Sequence, residues 1–216
     1  MGSATFLDAF DALSLAFAMP VLVKLWQLTP GDIGALIGAS YVGQLAGALI
    51  FSRFAEMRGR IPGAAAAAAI MSVMGIACIF AGNFQLLFVF RLIQGVGIGG
   101  EMPVAAAYVS ELSRAQGRGR FFMLYEMIFP VGLMMTGQIA ALLVPVFGWQ
   151  ALFVLGAIPG LIVAFLVWRL PESPRWLIGR GRYDEADAVI AQAEASAGRR
   201  FADFSPLAGD ALVSAA

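Results

Sequence analysis

The sequence predicts an all-α membrane protein with six transmembrane helices, and three observations predict it. Sixty per cent of the 216 residues are apolar and only 13 per cent are charged, against about 25 per cent charged residues in a soluble domain. The charges are clumped, leaving apolar stretches long enough to cross a bilayer, which takes about 20 helical residues. The basic residues fall almost wholly in alternate connections, as they do in polytopic membrane proteins.

The spans follow in order. The first, 6–28, has no basic residue before it, and Asp8 and Asp11 interrupt its apolar start, so it does not read as a cleavable signal. The second, 32–55, and the third, 62–81, are rich in alanine and glycine, which let membrane helices approach closely. The fourth, 84–108, carries Arg91, Gln94 and Glu101 within it. The fifth and sixth, 121–146 and 149–170, are almost uncharged, apart from Glu126 and Arg169. Internal prolines at 20, 103, 130 and 159 predict kinks. Residues 171–216 form a connector, with a short polar-faced helix over 183–197 and a linker without regular structure beyond it.

Connections after the odd-numbered spans are short and nearly free of basic residues. Those after the second and fourth carry Arg53, Arg58, Arg60, Arg114, Arg118 and Arg120, and the tail carries six more arginines. Only Lys24 and Arg91 stand apart. The positive-inside rule places both termini in the cytoplasm of a cell-membrane protein.

Several function classes fall away. Net charge is zero, so nothing suggests nucleic acid, and no histidine is present to serve as metal ligand or general base. Proton chemistry therefore falls to carboxylates. Gly95, Gly97 and Gly100 satisfy a dinucleotide-type GxGxxG, but that motif needs a preceding strand and a solvent-exposed helix start. Here it lies mid-span between an arginine and a proline, so it reads as close helix packing. No nucleophile–base pair or phosphate loop is present, and the chain reads as neither an enzyme nor a cofactor binder.

Charges inside a bilayer cost roughly 2.5–3.5 kcal/mol each on insertion scales, so each needs a partner or a purpose. Asp8 and Asp11 are three residues apart and share a helix face. They either carry protons near mid-bilayer or cap the end of the first span. Arg91, Gln94, Glu101 and Tyr108 fall within roughly a 100° arc of one helix. Arg91 and Glu101 are separated by about 15 Å along it. Each then needs a partner from another helix, with a first-span aspartate suited to Arg91. These residues either contact substrate and proton or form structural interhelical pairs. Glu126 and Gln138 in the fifth span admit the same two readings.

Four segments together resemble the major facilitator superfamily: LDAFD at 7–11, GALIFSRFAEMRGR at 47–60, RLIQGVGIGGEMPVAAAYVSEL at 91–112 and LPESPRWL at 170–177. The first is similar to the paired-aspartate motif of aromatic-acid and metabolite:proton symporters, the last to a motif of sugar-porter-like members. Departures are Glu56 for the usual aspartate, Met57 and Ile61 for usual basic residues, and Ala9 for the usual glycine. The resemblance covers the amino-terminal six-helix half of a twelve-helix fold. It implies a secondary transporter, and proton-coupled symport of a small organic acid or related metabolite is the leading expectation. A sugar transporter is the alternative within the superfamily, and a non-transporting scaffold subunit the alternative outside it. Absence of the antiporters' glycine-proline motif in the fifth helix leans towards symport.

The proton-coupling or substrate residues expected are Asp8, Asp11, Arg91, Gln94, Glu101 and Glu126. The resemblance also implies a cytoplasmic gate network of Glu56, Arg58, Arg60, Glu111, Arg118, Arg120, Glu172 and Arg175. The expected partners are a small solute and protons, the lipid bilayer, and a second six-helix half. That half comes from missing carboxy-terminal sequence, a second copy or a partner chain.

Overall fold

The computed structural model describes residues 2–112 and 118–197, and the linker expected over 198–216 lies outside them. The chain divides into two compact units, Met1–Ser173 and Pro174–Ala216. The first contains α1 (Gly2–Trp26), α2 (Pro30–Arg58), α3 (Arg60–Ile79), α4 (Phe84–Leu112), α5 (Arg118–Glu126), α6 (Ile128–Phe147) and α7 (Gln150–Trp168). Six helical segments among the described residues are long and apolar enough to cross a membrane, and α5 with α6 supplies the fifth.

Caps, not hydropathy, decide where these helices end. Gln27 adopts φ 50°, and the Leu28 N–H returns to the Val23 carbonyl at 3.3 Å, a Schellman-type closure of α1. Thr29 then caps α2 reciprocally: its hydroxyl accepts from the Asp32 N–H, and the Asp32 carboxylate accepts from the Thr29 N–H. Helix α2 runs to Arg58, three residues past the expected 55, and only Gly59 separates it from α3. That residue sits at φ 117°, a conformation that only glycine adopts without strain. Helix α7 spans 150–168, two residues short of the expected 170.

The fifth span is interrupted near Pro130, one of the prolines expected to kink a helix. It breaks into α5 and α6 around Met127, three residues before Pro130. Proline clashes with the carbonyl four residues earlier and cannot donate to it, and here that carbonyl belongs to Glu126. By contrast, α1, α4 and α7 run unbroken through Pro20, Pro103 and Pro159.

Packing centres on α4, which lies against α2 and α3; α3 also packs on α7, and α1 on α6 and α7. The α2–α4 contact is main chain against main chain. A methyl on Gly43, Gly47, Gly95 or Gly99 would collide with the carbonyls of Leu92, Val96, Ser40 or Gln44 respectively. Gly97 faces the Met71 backbone of α3, and Gly100 faces the Phe51 ring. All three glycines of the GxGxxG pattern therefore serve helix approach. Towards the ends of α1 and α7, Trp149 packs edge-on against Trp26 at 6.2 Å and Phe153 at 5.6 Å. Outward, Leu45, Leu49, Leu142 and Phe165 are exposed, a surface suited to lipid and not to water.

The second unit contains α8 (Pro174–Gly179) and α9 (Tyr183–Ala197). Helix α9 coincides with the polar-faced helix expected over 183–197. Arg182 holds Glu185 through Nε at 2.7 Å, and the hydrogen bonds and charge of Arg182 keep that carboxyl below its ordinary range.

Candidate functional site

The polar residues of α1 and α4 meet inside the bundle. Arg91 Nη1 donates to Asp11 Oδ2 at 2.9 Å and to Gln94 Oε1 at 2.8 Å. Gln94 Nε2 in turn donates to Asp11 Oδ1 at 2.8 Å, so both carboxylate oxygens are occupied. This closed triangle orients the Gln94 amide, because only one of its two flips offers oxygen to the guanidinium and nitrogen to the carboxylate. The Arg91 guanidinium also lies 5.3 Å from the centre of the Phe153 ring of α7. All three members of the triangle are buried. Placing the pair in the interior neutralises two charges that would each be costly alone in lipid.

Two more acids stand nearby, Asp8 one turn before Asp11 on α1 and Glu101 about two turns beyond Gln94 on α4. Asp8 and Glu101 each have 0% exposure, and their carboxyl groups lie close enough to interact directly. None of their four oxygens meets a hydrogen-bond donor. Beside them the Thr5 and Tyr125 hydroxyls bond each other at 2.6 Å, joining α1 to α5. Glu126 is exposed at the end of α5, outside this cluster, and Gln138 is exposed on α6.

A cavity of about 310 Å³ opens beside these groups, at the lower end of the range for small-molecule sites. Asp8, Asp11 and Arg91 line it from α1 and α4, and Ser40, Tyr41 and Gln44 line it from α2. Ile98, Met102 and Phe129 make the rest of the wall largely apolar. Sequence reasoning passed over the α2 residues. Their signal is faint: three neutral hydrogen-bonding side chains, at 40, 41 and 44, in a span without internal charge.

The arginine-rich end is organised differently from a ring of alternating ion pairs. Arg60 Nη2 pairs with Glu111 Oε1 at 3.2 Å, and the Ser173 hydroxyl donates to the same carboxylate. Glu172 accepts from the main-chain N–H groups of Arg60 at 2.9 Å and Ile61 at 3.1 Å, so it caps α3. Tyr108, placed by sequence on the polar face of α4, donates its hydroxyl to the Pro171 carbonyl at 2.8 Å. Glu56 pairs with Arg53 at 3.7 Å on the surface, and Arg58 is exposed. Arg118 and Arg120 lie in α5, with side chains outside the described set, and Arg175 belongs to α8 in the second unit.

The chain matches the family model described as sugar (and other) transporter over residues 16–203. It is 38% identical over 191 residues to the niacin transporter NiaP of Acinetobacter baylyi, covering 88% of this chain and 44% of that protein. It is 31% identical over 201 residues to the 4-hydroxybenzoate transporter PcaK of Pseudomonas aeruginosa, covering 91% and 45%. Its fold is similar to a partially occluded, inward-open xylose transporter XylE from E. coli, with TM-score 0.77 and 20% identity over 89% of this chain and 53% of that one. The chain thus spans under half the length of the curated relatives it matches.

Proposed function

Since the chain belongs to the sugar (and other) transporter family of the major facilitator superfamily, we propose that it forms the amino-terminal half of a proton-coupled symporter for a small organic acid. The observation that carries this reading is the buried Asp11–Arg91–Gln94 triangle beside the cavity. Arg91 is a fixed cation in a mostly apolar recess, and a substrate carboxylate competes with Asp11 for it. When Asp11 takes up a proton, its hold on Arg91 weakens and the guanidinium becomes available to the anion. Proton and organic anion then enter together with little net charge buried. The relatives named for niacin and 4-hydroxybenzoate transport favour a planar ring acid, and Phe129 and Tyr41 supply flanking surfaces.

In this reading the arginine-rich end faces the cytoplasm, as the asymmetry of basic residues favours. The Arg60–Glu111 pair and the Glu172 cap tie the segment before α8 to α3 and α4 and serve as the inward-side latch. A second six-helix bundle completes the cavity, because alternating access needs two halves rocking about one site. Further sequence, a second copy or a partner chain supplies it.

The test is uptake of labelled nicotinate and 4-hydroxybenzoate by cells expressing the gene together with its downstream sequence. Accumulation should collapse with a protonophore. Asp11→Asn should lose uphill uptake while retaining counterflow exchange. Protonophore-insensitive accumulation of either acid, or uphill uptake unchanged in Asp11→Asn, would overturn the mechanism.

A further inference from the structure

We infer that Asp8 and Glu101 form a proton-binding site of their own, separate from the Asp11–Arg91 pair and occupied by at least one proton at neutral pH. Two carboxyls from different helices, α1 and α4, adjoin each other with no exposure to solvent. Both ionised, they would place two like charges side by side in a low-dielectric interior, which is among the least favourable arrangements in a protein. They would also leave four buried acceptor oxygens without a donor. One proton resolves both difficulties. A protonated carboxyl gains an O–H donor, and the neighbouring carboxylate accepts it in a charge-assisted bond.

No described side chain on the surrounding helices donates to either carboxyl. Arg91 is committed to Asp11 and Gln94, and no basic side chain among the described residues pairs with Asp8 or Glu101. Asp11 adds a further negative charge one turn away on α1. The Tyr125 hydroxyl of α5 faces Thr5, and Glu126 beyond it is exposed. Helix α2 carries no charge between Asp32 and Arg53; α3 carries none from 61 to 79, and α6 and α7 none within their lengths. Among the described side chains, then, no cation pairs with the dyad. Asp8 stands on the cavity wall with its carboxyl oxygens covered, and Glu101 does not line the cavity. That is the geometry of a proton reservoir next to the Asp11–Arg91 switch. Its part in coupling rests on the transport reading above, but its occupancy does not.

Infrared spectroscopy of the purified chain in bilayer discs separates the two. The wild type should show a carboxylic-acid C=O band at neutral pH that shifts down on exchange into D₂O. Asp8→Asn/Glu101→Gln should lose the band, and Asp11→Asn should keep it. Circular dichroism and monodispersity are checked first for each variant. The single variants Asp8→Asn and Glu101→Gln should each shift the band by changing its hydrogen-bond partner, and they serve if the double variant does not fold. Absence of the band in the wild type would overturn the inference, as would its survival unchanged in the double variant or its loss in Asp11→Asn. None of these readouts depends on whether the chain transports anything.

Discussion

The carboxylate of Glu172 caps α3 by accepting the Arg60 main-chain N–H at 2.9 Å, across 112 residues of sequence. It takes the Ile61 N–H as well; Pro62 has no N–H and the Gly59 N–H bonds Ala55, so one side chain satisfies both donors left at this helix start. It places negative charge where the helix dipole favours it. Glu172→Ala should destabilise the start of α3 by about 1–2 kcal/mol. Amide exchange at Arg60 and Ile61 should accelerate by a factor of roughly 5–30, while amides in the middle of α3 stay protected. Glu172→Gln, which keeps an acceptor oxygen, should fall between the two.

The Asp11–Arg91 pair should behave as a coupled unit. Breaking a buried ion pair by removing one partner costs roughly 3–5 kcal/mol, because the other charge is left uncompensated. Thermal unfolding in a fixed detergent should place Asp11→Asn and Arg91→Gln far below wild type. The double variant should lose clearly less than the sum of the singles. Additive losses would mean that the two groups do not meet as described.

Main-chain contact between α2 and α4 makes a sharp steric prediction. Gly95→Val and Gly99→Val force a side chain onto the Ser40 and Gln44 carbonyls, and overpacking of this kind costs about 1–3 kcal/mol or more. Gly34, on the same α2, has open space around its Cβ position. Gly34→Ala should be neutral or stabilise by at most about 1 kcal/mol, through helix propensity. Comparing the yield of monodisperse protein across the three variants checks this.

At the surface, Glu185 should titrate below the ordinary glutamate value of 4.5, because Arg182 hydrogen-bonds to its charged form. The folded-state value is depressed, so the stabilisation is present above the unfolded value and is lost as pH falls through the folded one. NMR titration of the Glu185 carboxyl should show its midpoint rising towards the ordinary value in Arg182→Gln.

The fold was legible in the sequence because lipid imposes a coarse rule, and Arg91 was legible because a lone cation in an apolar helix is too costly to be incidental. A first-span aspartate was the partner suited to it, and Asp11 is the one that meets it. Other features leave little trace. Ser40, Tyr41 and Gln44 are neutral, so burying them carries no comparable penalty to flag them. Glu172 looked like one more acid among arginines because its partners are main-chain N–H groups, which every residue has. Pro130 was visible, but the break appears around Met127, beside the Glu126 carbonyl that proline cannot serve. Helix α8 has six residues, too few for a periodic pattern to emerge.

The glycine seam between α2 and α4 also settles which wall of the cavity is stiff. Where backbones touch, no side chain stands between them to change rotamer and absorb a displacement. Tyr41, Gln44, Arg91 and Glu101 therefore travel as one slab. Helix α1 is joined mainly to α6 and α7 and only sparsely to that slab. The α1 side is the less constrained wall of the cavity, and there the bonds from Arg91 and Gln94 to Asp11 clasp α1 to α4.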